Sequence, residues 1–125
     1  MKILVVDDNP INRLLPLAWL RRESCEAVES ADGHDALEKA RSAAFDVVLL
    51  DLSMPGLSGR EVCRALRALP DGERMRIVAY TAHATADSFA DLRALGFDDV
   101  LIKPVSREAL MRALRHGRED VGGAA

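Results

Sequence analysis

The chain has 125 residues, of which 49% are apolar and 30% are charged, and its formal charge at neutral pH is -3. This length and composition fit one soluble globular domain with a single core and exclude a disordered or fibrous chain. The net negative charge argues against nucleic acid or an anionic membrane as the main partner, because both attract basic faces.

Five short apolar runs along the chain predict β-strands. Nearly continuous runs, typical of strands covered on both faces, extend from Ile3 to Val6, from Val47 to Leu50 and from Ile77 to Tyr80. The run from Ala27 to Ala31 includes polar residues and predicts an edge strand. A shorter strand is predicted from Val100 to Ile102.

Helical patterns with recognisable first residues lie between and after these runs. Asn9 is a suitable N-cap, and Pro10 behind it suits the first position of a helix. Ser58 and Glu61 match a capping box ahead of a further helix. The remaining helices are predicted from Gly33 to Ser42, from about Thr85 to Leu95, and after Ser106.

Strict alternation of strand and helix predicts an α/β fold with a parallel sheet and helices on both faces. Ligands of such folds bind beyond the carboxyl ends of the strands. Crowded carboxylates there repel one another, so a cation is needed to offset their charge, and a nearby amine suits a phosphoryl group. We therefore expect Mg²⁺ and phosphoryl chemistry where five strand-end residues converge: Asp7, Asp8, Asp51, Thr81 and Lys103.

Four segments together resemble the receiver domain of two-component response regulators: VVDDNPINR, VVLLDLSMPGLSG, AYTAHA and LIKP. The chain could be a stand-alone receiver or part of a hybrid histidine kinase or larger regulator, and NPINR and TAHA resemble the receivers of hybrid kinases somewhat more. The resemblance implies a flavodoxin-like (βα)5 doubly wound parallel sheet of strand order 2-1-3-4-5. It covers residues 1–116, and residues 117–125 are expected to form a flexible tail or the stub of a linker.

The resemblance implies that Asp51 is a phosphoacceptor whose carboxylate takes a phosphoryl group from a phosphohistidine. The donor would be a histidine kinase or a histidine phosphotransfer domain. Mg²⁺ would be bound by Asp8, Asp51 and the backbone carbonyl of Ser53, with Asp7 acting through a water or orienting the site. A domain of this kind is a phosphorelay signalling component and not a turnover enzyme.

The resemblance also implies which groups hold the phosphoryl oxygens and report their arrival. Lys103 would pair with one oxygen, with a cis peptide bond before Pro104, while the Thr81 hydroxyl and the Ala82 backbone N-H would donate to others. Movement of Thr81 would then shift the loop and helix after the fourth strand. That shift would control an output protein or domain whose identity the sequence leaves open.

Two residues depart from the family pattern. Val100 stands three residues before the lysine, where many receivers have an aromatic ring that turns inward on activation. Pro16 falls inside the predicted first helix, the usual docking surface for the phosphodonor, and an interior proline removes one backbone hydrogen bond. A kink at Pro16 could tune the choice of partner, but we expect a tolerated irregularity packed by Leu14, Leu15 and Trp19.

Three other functions are compatible with parts of the pattern. A degenerate receiver would keep the fold and act as a scaffold without phosphorylation. A Mg²⁺-dependent phosphatase of the haloacid dehalogenase type would also use an aspartate nucleophile, but Asp51 is followed by Leu52 and Ser53 and lacks the DxD spacing. A flavodoxin-like flavin or nucleotide carrier would need glycine or hydroxyl residues where the first strand is followed by acids.

The cysteines and the start of the chain predict the compartment. Cys25 and Cys63 have no metal-ligand spacing and are expected to be small buried hydrophobes in a reducing environment. The apolar run at the start meets Asp7 at once and is too short for a signal peptide or a membrane span. A cytoplasmic protein is expected.

Overall fold

The structure is a computed structural model that describes residues 1–82 and 86–114. The strands are β1 (Lys2–Val6), β2 (Glu26–Ser30), β3 (Val47–Asp51), β4 (Arg76–Thr81) and β5 (Asp99–Ile102). The helices are α1 (Pro10–Arg22), α2 (Gly33–Ser42), α3 (Gly59–Arg67), α4 (Ala86–Leu95) and α5, described over residues 107–114. The predicted tail at 117–125, the domain end at residue 116 and the predicted helix start at residue 85 lie outside the described residues.

All five strands are parallel and form one sheet in the order β2-β1-β3-β4-β5. The predicted doubly wound, flavodoxin-like fold is therefore confirmed. The chain leaves β1 toward β2 on one side and later returns to β3 on the other side of β1. This reversal opens a crevice at the carboxyl ends of β1 and β3, which is where ligands of such sheets bind.

Two apolar cores cover the two faces of the sheet. On one face, Leu4 and Val6 of β1 contact buried residues of α2, α3 and α4. On the other face, Ile3 and Val5 contact buried residues of α1 and α5. Each fully buried leucine or isoleucine stabilises the fold by about 1.5–3 kcal/mol. The double burial explains why the central strands are nearly continuous apolar runs.

The helix starts follow the predicted capping chemistry. The Asn9 side chain accepts a hydrogen bond from Ile11 N, and Pro10 is the first helical residue. Ser58 and Glu61 form the predicted capping box, since each side chain accepts from the other residue's backbone N-H. These contacts satisfy N-H groups that have no partner inside the helix and commonly contribute about 1 kcal/mol each.

Helix α1 accommodates Pro16 as predicted, but the predicted packing of Leu14 and Leu15 around it is wrong. Helix α1 continues through Pro16, which is buried, whereas Leu14 and Leu15 are 64% and 60% exposed. The reason is geometric. Pro16 and Leu17 lie on the buried face of α1, and the helical periodicity then places the two preceding leucines on the side that faces solvent. Only Trp19 packs against the core as expected.

The prediction that both cysteines are buried is confirmed for Cys63 but not for Cys25. Cys63 is fully buried, and burial raises the pKa of its thiol to about 11, whereas Cys25 is only half-buried. Within residues 1–82 and 86–114, no helix combines the length and the apolar character needed to cross a bilayer.

Candidate functional site

Three carboxylates meet at the crevice between β1 and β3. Asp7 and Asp8 directly follow β1, and Asp51 is the last residue of β3. One oxygen from each of these side chains lies within 4.8 Å of the others. Asp7 and Asp51 are buried, whereas Asp8 is exposed. This group, called the acidic site below, has the composition that the sequence predicted.

Lys103 brings its ammonium group directly to the acidic site. Its Nζ lies 3.0 Å from Asp7 Oδ2 and 3.4 Å from Asp51 Oδ1. Its backbone N-H donates to the carbonyl of Thr81 at 2.8 Å, which ties the end of β5 to the end of β4. The peptide bond between Lys103 and Pro104 is cis, as the resemblance implied.

The two adjacent acids have different surroundings. The backbone N-H of Asp7 donates to Ser30 O at 3.1 Å, and its carboxylate accepts from Asn9 N at 2.9 Å as well as from Lys103. Among the residues that the structure describes, no hydrogen bond or ion pair involves the Asp8 carboxylate. Asp7 is therefore held in place, while Asp8 is available to a ligand arriving from solvent.

Asp51 is a buried carboxylate in an unfavourable electrostatic position. Burial raises its pKa above the ordinary range for aspartate, and the nearby charge of Asp7 raises it further. The backbone N-H of Ser53, which donates to Asp51 Oδ1 at 3.1 Å, and the ammonium of Lys103 lower the pKa but do not outweigh burial. An added cation at this position would favour the ionised form.

For Lys103, in contrast to Asp51, neighbouring groups outweigh burial in setting the pKa. Burial alone would lower its pKa, but its hydrogen bond to Asp7 and the charges of Asp51 and Asp7 outweigh burial and raise the pKa. The ammonium also lies 4.8 Å from the centre of the Tyr80 ring, a cation-π contact. Lys103 is therefore a fixed positive charge at neutral pH.

The other predicted site residues lie at the same edge of the sheet. Thr81 ends β4 and is buried, one position beyond Tyr80, which pairs with Asp51 in the sheet. Ala82 follows it and is exposed, and Ser53 is exposed two residues after Asp51. The structure thus brings the acidic site and Lys103 into contact and places these three residues beside them.

The donor atoms of the acidic site suit Mg²⁺. The ion prefers oxygen ligands and keeps several of its own waters, so a few carboxylates at an open edge are sufficient. The acidic site offers three carboxylates, one of them exposed to solvent. Lys103, which neutralises part of this charge in the described structure, is a monocation and leaves the site with more negative than positive charge.

Two residues that contact the site were not singled out from the sequence. Arg13 on α1 donates through Nη1 to the backbone carbonyl of Asp7 at 2.6 Å. Tyr80 on β4 contacts Lys103 through its ring. An arginine on an amphipathic helix and a tyrosine in a buried strand are both ordinary in sequence, so only their positions in the fold reveal these contacts.

The sheet order, the acidic site at the carboxyl ends of β1 and β3, and Lys103 after β5 are together the arrangement expected of a receiver domain. The sequence profile of the family described as response regulator receiver domain matches residues 3–115. The chain belongs to this family.

Relatives and solved structures support the assignment. The sensor protein GacS of Pseudomonas syringae pv. syringae is 40% identical over 117 residues, a match that covers 90% of this chain but only 13% of GacS. The chain therefore spans a small part of the curated relatives it matches.

Among solved structures, the chemotaxis protein CheY4 of Vibrio cholerae has a TM-score of 0.88 at 31% identity, covering 92% of this chain and 96% of that one. The receiver domain of sensor histidine kinase PA1611 of Pseudomonas aeruginosa PAO1 has a TM-score of 0.84 at 35% identity, covering 92% and 94%. That structure has a magnesium ion coordinated in its active site cleft.

Proposed function

We propose that Asp51 accepts a phosphoryl group from a phosphohistidine on a partner protein, in a Mg²⁺-dependent reaction that shifts the domain toward an active conformation. The observation that carries this proposal is the convergence of three carboxylates and the ammonium of Lys103 at the carboxyl edge of the sheet. We expect the reaction to take place in the cytoplasm, where free thiols such as those of Cys25 and Cys63 stay reduced.

The transfer requires positioning and charge neutralisation more than covalent assistance. A carboxylate oxygen of Asp51 forms a bond to phosphorus while the bond between phosphorus and the donor's imidazole nitrogen breaks. That nitrogen keeps the electron pair, and the product is an acyl phosphate. Hydrogen bonding from Ser53 N to Asp51 Oδ1 orients the carboxylate for this attack.

Mg²⁺ would be held by Asp8, Asp51 and the backbone carbonyl of Ser53, with Asp7 orienting the site. When bound, the ion supplies positive charge that offsets the repulsion between the carboxylate and the phosphoryl group. Asp8 suits the role of main ligand because its carboxylate is exposed and makes no hydrogen bond or ion pair among the described residues. Asp7 suits the orienting role because its backbone and its side chain are both hydrogen-bonded.

The phosphoryl oxygens would be held by the Lys103 ammonium, the Thr81 hydroxyl and the Ala82 backbone N-H. Lys103 is already within 3.4 Å of Asp51, so a small movement brings it to an oxygen of the incoming group. Thr81 and Ala82 lie on the adjacent strand end and the loop that follows it. A ligand on these two residues would favour one position of that loop over another, which is how phosphate would bias a two-state equilibrium.

The phosphodonor would dock on α1 beside the acidic site. Ile11, Leu14 and Leu15 are 72%, 64% and 60% exposed, and they form the apolar stripe of this helix. The stripe begins on the first turn after Asp8, so a protein that covers it comes within reach of the acidic site. A histidine kinase or a phosphotransfer domain with an apolar face around its phosphohistidine fits this surface.

Phosphorylation can be tested with a small donor that needs no docking. The native chain and Asp51→Ala are incubated with phosphoramidate, with and without Mg²⁺, and their intact masses are measured. We expect one phosphoryl group on the native chain only, and only with Mg²⁺. Equal labelling of Asp51→Ala would overturn the choice of acceptor, and repeated turnover of a phosphomonoester would indicate a phosphatase.

A second candidate is a scaffold that acts without phosphorylation. Val100 favours it, because this half-buried side chain packs on the core beside α4 and offers no ring that could turn inward. An unlabelled native chain under all conditions above, with the fold intact by circular dichroism, would make the scaffold the better interpretation.

A further inference from the structure

Arg13 makes two hydrogen bonds that connect the acidic site to the edge of the sheet. Its side chain is 13% exposed, which is low for an arginine on a surface helix. Nη1 donates to the carbonyl of Asp7 at 2.6 Å, and Nε donates to Glu29 Oε1 on β2 at 2.8 Å. Glu29 therefore holds the guanidinium in place, and the guanidinium in turn holds the backbone oxygen of Asp7.

We propose that Arg13 is a positioning residue for the acidic site: by holding the Asp7 carbonyl it sets the direction in which Asp8 presents its carboxylate. The carbonyl belongs to the peptide unit that joins the two acids, and this unit is planar. Fixing its oxygen also fixes the nitrogen and the Cα of Asp8. The inference rests on the proposed function, since it assigns Arg13 a role toward the Mg²⁺ that Asp8 would bind.

Such a restraint is needed because the three carboxylates repel one another before a cation arrives. Asp7 and Asp51 are buried and cannot move apart, whereas Asp8 is exposed and could turn outward. Turning the peptide between Asp7 and Asp8 is the simplest way to do so. Its cost increases when the peptide oxygen is bonded to a guanidinium that Glu29 holds in place.

The direction in which Mg²⁺ affinity changes distinguishes a positioning role for Arg13 from an effect of its charge alone. Arg13 is a cation close to a cation site, so its charge alone opposes Mg²⁺ binding. A variant that only lost the charge would bind Mg²⁺ more tightly. A variant that lost the restraint would bind it less tightly, because Asp8 must then be ordered during binding.

A matched control is available on the same helix. Arg21 also donates from α1 to a carbonyl of β2, through Nη2 to Ala27 O at 3.3 Å, but near the other end of the helix. Arg21→Gln removes the same charge and the same kind of hydrogen bond as Arg13→Gln. It leaves the contact with Asp7 unchanged.

Mg²⁺ affinity is measured by calorimetry on the native chain, Arg13→Gln, Arg13→Lys and Arg21→Gln. Amide exchange at Asn9, whose N-H donates to Asp7 Oδ1, is followed by NMR without metal. We expect Arg13→Gln to bind Mg²⁺ about 10-fold more weakly, at the low end of the range seen for residues behind metal ligands, and Arg13→Lys to show a smaller loss of about 3-fold. Asn9 should exchange faster in both, and Arg21→Gln should match the native chain.

The outcomes are distinguishable. Mg²⁺ affinity in Arg13→Gln that equals or exceeds the native value overturns the role of Arg13, whereas a native chain that binds no Mg²⁺ overturns the proposed function itself. If Arg13→Gln does not fold, Arg13→Lys decides, because it keeps the charge and the stem but not the planar pair of donors. An affinity in Arg13→Lys equal to the native value then overturns the inference.

Discussion

Asp51 is under conflicting demands at the scale of a single residue. The carboxylate must be ionised to attack phosphorus, yet burial and the charge of Asp7 favour its protonated form. Lys103 offsets only part of this effect. The proposed Mg²⁺ would offset the rest, so the residue that performs the chemistry also makes the fold less stable when metal is absent.

Replacing Asp51 by asparagine should therefore stabilise the metal-free protein. The folded pKa of Asp51 is raised, so its contribution to stability is present below the unfolded value of about 3.9 and is lost as pH rises through the folded pKa. At pH 7 we expect Asp51→Asn to unfold about 3 °C higher than the native chain, on the order of 1 kcal/mol. Calorimetric scans in EDTA measure this difference.

The difference should shrink as the pH is lowered through the raised pKa of Asp51, because the aspartate is then increasingly protonated and, like asparagine, uncharged. Asp51→Glu is the control, since it keeps the charge. A lower melting temperature for Asp51→Asn at pH 7 would mean that the ion pair with Lys103 outweighs burial.

Tyr80 offers a second prediction at this scale. Its ring lies under the Lys103 ammonium, a contact commonly worth about 0.5–1 kcal/mol or more when buried. Tyr80→Leu should slow phosphorylation by phosphoramidate about 3-fold, because the ammonium is less well held at the site. Tyr80→Phe keeps the ring face and should retain the native rate. The rates are measured by intact mass at saturating Mg²⁺. A rate in Tyr80→Leu equal to that of the native chain would show that Asp7 and Asp51 alone position Lys103.

At the scale of secondary-structure elements, α1 has one face that stabilises the fold and another that is available to a partner. Its buried face, which includes Pro16 and Leu17, packs against β-strands, while its apolar stripe faces solvent. An exposed stripe contributes little to folding, so its residues can be changed without loss of the fold.

Leu14→Glu should therefore impair transfer from a phosphohistidine protein while leaving phosphoramidate labelling unchanged. A buried charge at a docking surface commonly costs a factor of about 10 or more. Ile102→Glu is the matched control, because Ile102 is 54% exposed on β5 and lies outside the stripe. Transfer rates from a phosphorylated donor domain that are equal for Leu14→Glu and the native chain would remove α1 as the docking surface.

Arg67 joins three elements through one guanidinium. It donates to the carbonyls of Gly72, Met75 and Gly96, and its Nη2 lies 2.8 Å from Asp98 Oδ2. These bonds connect the end of α3 to the loops before β4 and before β5. A single side chain thus provides hydrogen-bond donors for three backbone carbonyls and for the carboxylate of Asp98.

Removing this guanidinium should be strongly destabilising. We expect Arg67→Ala to lower the free energy of unfolding by roughly 2–4 kcal/mol, because several part-buried acceptors lose a charged donor. Arg64→Ala, which removes an exposed arginine from the same helix, should change it by less than about 0.5 kcal/mol. Urea unfolding measures both, and similar losses in the two variants would contradict the role of Arg67.

At the scale of the whole molecule, the features that could be predicted from the sequence are those that follow from the periodicity of apolar residues. Doubly buried strands produce continuous apolar runs, so the strands could be found, and parallel pairing then brings their carboxyl ends to one edge. The acidic site and Lys103 followed from that, because a residue that directly follows a strand needs no further information to be placed.

Contacts between distant side chains and backbone carbonyls were not predictable. Arg13 and Arg67 both bond to carbonyl oxygens, which every residue has, so nothing in the sequence marks the acceptor. The packing of Leu14 and Leu15 around Pro16 was predicted wrongly for a related reason: periodicity alone does not say which of two adjacent apolar faces of a helix will be buried.

The central claim is that Asp51 becomes an acyl phosphate, and chemical trapping tests it most directly. Borohydride reduces an acyl phosphate to an alcohol, so a phosphorylated aspartate is converted to homoserine. After incubation with phosphoramidate and Mg²⁺ and then borohydride, peptide sequencing by mass spectrometry should find homoserine at position 51 and only in samples that received Mg²⁺. Homoserine at position 7 or 8, or none at 51 in a folded and labelled chain, would contradict the account.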